Sequence, residues 1–284
     1  MVDRAVVVTG ASRGIGRATA LRLAQSGLHV FGAVRAADDA ARLEDESGGA
    51  VHAVRLDLGD DASIQRLVDE LTGSGVEALY GLVNVAAASG RAVPLQAVTR
   101  ADLDRQLAVT ATGTMVLTAA MVPFLCVGRG RVVNVGGGAL SMPLLGTVFA
   151  AKRALEAMSD VLRVELAERG VRVIVVEPGM TRWENVGAQR AAYVEALDAG
   201  VAAVGESDRA RYERAADALK RLNARMLDRG AAADDVAATI ERALTTRHPR
   251  ARYSCGAGQK LAATISRVTP TRYTDRLLRR LAQL

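Results

Sequence analysis

Apolar residues along this 284-residue chain fall into two rhythms. Short, valine-rich and nearly continuous runs occupy residues 5–8, 29–34, 51–56, 78–85, 131–135, 171–176 and 251–254. Runs of this length, apolar at consecutive positions, suit strands buried on both faces. Between them the spacing changes to three and four. Leu103, Leu107, Ala111, Leu117 and Met121 form one stripe, and Ala151, Leu155, Met158, Leu162 and Leu166 another. These stripes predict helices over 101–124 and 149–169, with shorter ones over 18–26, stopped by Gly27, and 61–71.

Strands alternating with helices imply an α/β fold: a doubly wound parallel sheet of about seven strands with helices on both faces. Residues 183–229 turn to long polar helices with no glycine- or proline-rich linker. They read as a helical lid over a small-molecule substrate, grafted onto a single domain spanning 1–284. A C-terminal helical extension follows over 257–284. Its Leu277, Leu278 and Leu281 beside Arg276, Arg279 and Arg280 make it basic and amphipathic, fit to cap the substrate entrance, to pack on a neighbouring subunit or to lie on a membrane surface.

Composition narrows the class. Half of the residues are apolar and only 3% aromatic, so Ala, Val, Leu and Gly fill the core. With Cys126 and Cys255 alone and no secretory segment, a disulfide framework is not expected, and the chain reads as cytoplasmic. No apolar run approaches the roughly 18 residues of a spanning helix. Lysine and arginine exceed acids by 37 to 31, a charge of +6 spread along helices. Without a stacking platform or a clustered basic stripe, that balance suits an anionic small molecule and not nucleic acid.

The chemistry begins at Thr9-Gly10-Ala11-Ser12-Arg13-Gly14-Ile15-Gly16, a glycine-rich turn between the first strand and first helix. Glycines let the backbone bend and approach a ligand, while the free N–H groups of the helix face a pyrophosphate. Arg35 directly follows the second strand, where an acid would grip a ribose 2′-hydroxyl; with Arg13 it favours a 2′-phosphate, hence NADP(H) over NAD(H). His29, His52 and His248 are scattered, and no pair has metal-ligand spacing.

The Thr-Gly-x-x-x-Gly-x-Gly spacing, so near the start of the chain, resembles the short-chain dehydrogenase/reductase family, whose fold is a Rossmann-type doubly wound sheet. The resemblance implies that Gly10, Ser12, Arg13, Gly14, Ile15 and Gly16 hold the diphosphate. Asp57 and Leu58 would contact adenine. Asn84 would open the loop beside the ribose, here Asn84-Val85-Ala86-Ala87, with Asn84 also able to bond a neighbouring strand. Pro178, Gly179 and Thr181 would wall the nicotinamide, with Trp183 where a threonine is usual. It further implies a homodimer or homotetramer built through the two long helices.

In that family a tyrosine four residues before a lysine protonates the substrate oxygen, one helical turn bringing the two together. Lys152 matches the lysine, which would also bind the nicotinamide ribose, and the tyrosine position is Val148. The family's serine position falls in Gly136-Gly137-Gly138, and its asparagine position is Thr110. Candidate catalytic groups are therefore Lys152, with Thr110 and Ser141 as hydroxyls that could face the pocket.

An oxidoreductase acting on a substrate that needs no tyrosine, such as an imine or an activated carbonyl, is the favoured expectation. A non-redox cyclase, dehydratase or isomerase on the same fold is an alternative. So is a catalytically silent subunit paired with an active relative.

Overall fold

The computed structural model describes residues 4–138, 140–256, 259 and 269–284. Strands β1 (Ala5–Thr9), β2 (His29–Val34), β3 (Val51–Arg55), β4 (Leu79–Asn84), β5 (Arg131–Val135), β6 (Arg172–Pro178) and β9 (Arg252–Cys255) form one parallel sheet in the order β3-β2-β1-β4-β5-β6-β9. The order reverses between β1 and β4, which opens a crevice beyond their carboxyl ends. Two-residue strands β7 (Thr181–Arg182) and β8 (Ala231–Ala232) pair apart from it.

The period of two decides which face each strand residue serves. Ala5 and Val7 join one core with Leu67, Leu71, Leu117, Met121 and Leu125. Val6 and Val8 join the other with Leu23, Val236, Ile240 and Leu244. The first core is roofed by α3 (Asp61–Gly73) and α5 (Thr114–Gly128), the second by α1 (Gly14–Gln25) and α9 (Ala233–Thr245). Full burial of one such leucine contributes about 1.5–3 kcal/mol. α2 (Ala37–Ser47) buries Leu43 alone.

The helix expected over 101–124 is three segments: α4 (Arg100–Leu107), a π-helical stretch over Ala108–Gly113 and α5. At Gly113 this stretch passes close to the loop after β3, where an added Cβ would stand 1.9 Å from the Leu58 carbonyl oxygen. Continuous helix over 100–128 is, by length and composition, apolar enough to pass for a membrane span, which corrects the expectation from run length. Here its Leu117, Met121 and Leu125 are fully buried against the sheet.

The helix expected over 149–169 is α6 (Gly146–Glu165), which begins a turn earlier and brings Val148 and Lys152 onto the same helix. Residues 183–229 carry α7 (Val186–Ala202) and α8 (Glu206–Asp228). Their Leu197, Val201, Ala215 and Leu219 pack with Ala92 and Leu144, from the loops that leave β4 and β5. Both helices thus stand at the carboxyl end of the sheet. Of the C-terminal extension, 257–258 and 260–268 lie outside the described residues, and Thr271–Ala282 is helix α10.

Candidate functional site

The glycine turn is shaped by two close approaches. A Cβ on Gly10 would stand 3.0 Å from the backbone of Ala86 across the crevice, and one on Gly16 only 2.1 Å from the Gly10 carbonyl oxygen. Gly10 and Gly14 also take positive φ, at 69° and 55°. Thr9 Oγ1 accepts from the N–H groups of Val85 and Ala86, tying the turn to the loop after β4. Arg13 caps α1 with no side-chain hydrogen bond, so the N-cap side chain leaves the first-turn N–H groups of the helix unsatisfied. Such a cradle of small residues around unpaired donors fits the diphosphate of a dinucleotide.

Around this turn the basic residues spread. Arg35 is exposed at the end of β2. Arg13 is exposed and stacks over the Trp183 ring, 5.4 Å from its centroid. Arg42, which the sequence reading passed over, donates to the Ser12 carbonyl oxygen at 3.2 Å and so adds a third cation to the corner. Asp57 is exposed beyond β3, its Oδ1 accepting from Gly59 N–H at 2.9 Å, while Leu58 is buried in the first core.

Asn84 is buried and bonded across the sheet. Its Nδ2 donates to Asn134 Oδ1 at 2.8 Å and to Thr118 Oγ1 at 3.1 Å, and Asn134 Nδ2 donates in turn to Ser159 Oγ. The Oδ1 of Asn84 has no partner among the described residues. This chain of amides fixes the ends of β4 and β5 against α6, which is the strand-bonding role its sequence position allowed.

Pro178 and Gly179 end β6, and Gly179 N–H donates to the Cys255 carbonyl oxygen at 2.8 Å. Thr181 Oγ1 donates back to Gly179 O at 3.2 Å, so that hydroxyl stiffens its own turn. Thr110 lies in the π-helical stretch, fully buried, and its hydroxyl accepts from Ala88 N–H and the Gln106 amide. Ser141 is exposed on the loop before α6. Thr147, by contrast, is buried, and its hydroxyl has no partner among the described residues.

Lys152 projects from α6 to the end of β5, where Nζ donates to the Val135 carbonyl oxygen at 2.6 Å. Enclosure of the ammonium lowers its pKa from 10.5 to about 8, an effect that the Glu156 carboxylate one turn on partly opposes. Glu156 itself is buried; its Oε1 accepts from Gly137 N–H at 2.9 Å and its Oε2 pairs with Arg153 and Arg252. Arg252, on β9, also bonds Glu177 Oε1 at 2.8 Å and Asp160 Oδ2 at 2.7 Å. The glycine run after β5, Lys152 and the Pro178 elbow therefore rest on one buried ionic floor. Glu156 could have been found by its spacing of four from Lys152; Arg252 is close only through the sheet.

The sign of the Lys152 shift gives a stability expectation. Below pH 8 the native lysine bears its charge at full desolvation cost. Between about 8 and 10.5 the unfolded chain holds a proton that the native lysine has released, so stability rises with pH across that window. Urea denaturation of wild type and Lys152→Met at pH 7.5 and 9.5 is expected to show that relative gain in the wild type alone. Parallel pH dependence in the two would contradict the shift.

Val148 stands one turn before Lys152. Its Cγ2 lies where a Cβ on Gly90 would come within 2.3 Å, so the side chain is wedged against the loop after β4. Tyr193 of α7 packs with the cluster of Met142, Leu144 and Leu145 above, and burial pushes its phenol up to about 12.

Comparison with known proteins bears on this arrangement. A model of the family described as short chain dehydrogenase matches residues 4–194. Retinol dehydrogenase 5 of Mus musculus is 32% identical over 287 residues, covering 97% of this chain and 88% of its own. An NADPH-dependent 3-dehydrocapnine reductase of Ornithobacterium rhinotracheale is 28% identical, over 96% of this chain and 95% of its own. Among solved structures, a short-chain dehydrogenase from Streptomyces avermitilis matches with a TM-score of 0.76 at 26% identity, covering 99% of this chain and 97% of that one.

Proposed function

The chain belongs to the short chain dehydrogenase family, and from that premise we propose that it is an NADP(H)-dependent oxidoreductase whose substrate carbon is already activated, as in an iminium ion. The observation that carries this reading is the pair on α6: Lys152 in place, and one turn earlier the alkyl side chain of Val148 wedged against Gly90. Reducing a ketone leaves an alkoxide that must be protonated, and a valine has no proton to give. Gly137 likewise has only a backbone N–H, already donated to Glu156, where a hydroxyl would orient a carbonyl.

An iminium carbon removes that need. When bound, the reduced nicotinamide supplies the hydride; the C=N electron pair then moves to nitrogen, and a neutral amine forms with no proton transferred. The chain's own tasks shrink to binding, orientation and exclusion of water. Gly10 to Gly16 and the start of α1 would hold the diphosphate. Asp57 and Leu58 would meet the adenine, and Asn84 the ribose loop. Lys152 would bond the ribose, with Pro178, Gly179 and Thr181 against the nicotinamide.

Arg13, Arg35 and Arg42 favour the 2′-phosphorylated form, supported by a relative whose name makes it NADPH-dependent. The lid helices α7 and α8, with Tyr193 kept protonated, would shut the substrate from solvent. NADPH oxidation assayed with preformed cyclic iminium ions and with ketones of the same skeleton tests the reading. Turnover of the iminium ions and not the ketones is expected; turnover of ketones alone, or of neither by a chain that binds NADPH, overturns it.

The same reading makes the protein a homodimer or homotetramer through α5 and α6. Val116 and Val127 on α5, with Val161 and Val164 on α6, are exposed to 38%, 69%, 56% and 74%. A Val161→Glu, Val164→Glu double variant is expected to be a monomer by light scattering at a concentration where the wild type is not. A wild-type monomer would contradict this.

A further inference from the structure

We propose that Trp183 gates the dinucleotide cradle: its indole lies on Gly14, and the diphosphate reaches the start of α1 only when the strap carrying that ring moves aside. This rests on the NADP(H) reading above. Of the three glycines in the turn, Gly10 and Gly16 face backbone, that of Ala86 and of Gly10 itself. Gly14 alone faces an aromatic ring, with no backbone atom among its nearest neighbours. A Cβ there would meet Cδ1 and Nε1 of Trp183 at 3.2 Å and Cε2 at 3.4 Å. The space kept free of a side chain, through which a ligand comes close to the turn, is thus taken by an aromatic ring of this chain.

The strap is pinned at several points. Trp183 N–H donates to Gln189 Oε1 at 3.1 Å, and Gln189 Nε2 donates to Thr181 O at 2.8 Å. Next along the strap, Glu184 pairs with Arg17 of α1 at 3.2 Å. Arg13 covers the ring from the turn side. None of these is strong: the Glu184 carboxylate is half exposed, Trp183 is 36% exposed, and exposed ion pairs and cation–π contacts each contribute little. A closed state of that kind is displaceable, and it lowers the apparent affinity of a ligand by the fraction of chains that are open. Because the strap runs directly into α7, an arriving dinucleotide also shifts the start of the lid.

Trp183 is the single tryptophan of the chain, so its emission reports on the strap alone. NADP⁺ is the probe, since the reduced ring absorbs where indole emits. Calorimetry compares NADP⁺ and 2′-AMP, which lacks the diphosphate, on wild type, Trp183→Thr and Trp183→Phe. Expected are NADP⁺ binding about tenfold tighter to Trp183→Thr than to wild type, wild-type-like affinity in Trp183→Phe, a much smaller change in 2′-AMP affinity than in NADP⁺ affinity, and a change in acrylamide quenching of wild-type Trp183 on saturation with NADP⁺. Equal NADP⁺ affinity in wild type and Trp183→Thr overturns the gate and leaves the cofactor reading standing. Weaker binding to Trp183→Thr makes the ring a cofactor contact and also overturns the gate. Binding of NADP⁺ by none of the three overturns the cofactor reading and the gate together.

Discussion

The Val148→Tyr, Gly137→Ser double variant is expected to reduce simple ketones with NADPH about 10²- to 10⁴-fold faster than the wild type, the usual contribution of a positioned acid. Residues 148 and 152 lie on one face of α6, so a phenol at 148 stands one turn from the Lys152 ammonium. That cation, with its pKa near 8, would favour the phenolate and ease proton release to the substrate oxygen. Space is the constraint. A Cβ at 137 would stand 3.2 Å from Lys152 Cβ, which the lysine stem can yield by a few tenths of an ångström, and the 148 side chain already presses on Gly90. Gly137→Ser alone should gain little, since it orients a carbonyl without protonating it. A double variant that binds NADPH and stays inert on ketones would show that the surrounding pocket, and not the acid alone, has diverged.

Arg252→Met is expected to cost about 3 kcal/mol of stability, near the low end for breaking a buried ion pair from one side. Arg252 serves Glu156, Glu177 and Asp160 at once, and the Glu156 and Glu177 side chains are only 6% and 7% exposed. Methionine matches the arginine stem but removes the one guanidinium that all three carboxylates share, while Glu156 keeps Arg153 and Asp160 keeps Arg163. Thermal unfolding at pH 7.5 followed by calorimetry measures it; a variant as stable as the wild type would mean that these ion pairs contribute nothing net. Because Glu156 holds Gly137 N–H, the variant should also loosen the end of β5 beneath Lys152.

Much of this architecture could be read from residue order. The valine runs place all seven strands of the main sheet, since a strand buried on both faces must be apolar throughout, and the glycine turn marks the crevice where the order of strands reverses. The spacing of four between Val148 and Lys152 survives because both fall inside one regular helix. What sequence did not reveal has physical reasons. The π-helical stretch at Ala108–Gly113 leaves no mark on periodicity. α2 buries one leucine and so carries no stripe. Arg252 meets Glu177 and α6 only because β9 lies beside β6. Trp183 could be seen as an unusual residue at its position; its seat on Gly14 needed the folded strap.

The central claim is that this chain passes hydride from NADPH to a cationic carbon without a phenolic acid. Mass spectrometry of the product formed from a preformed cyclic iminium ion and 4,4-dideuterated NADPH tests it most directly. One deuterium on the former iminium carbon, lost in Gly16→Val, is the expected result; Gly16→Val drives a side chain into the Gly10 carbonyl and closes the cradle. An iminium substrate recovered without deuterium by a wild-type chain that binds NADPH would contradict the account.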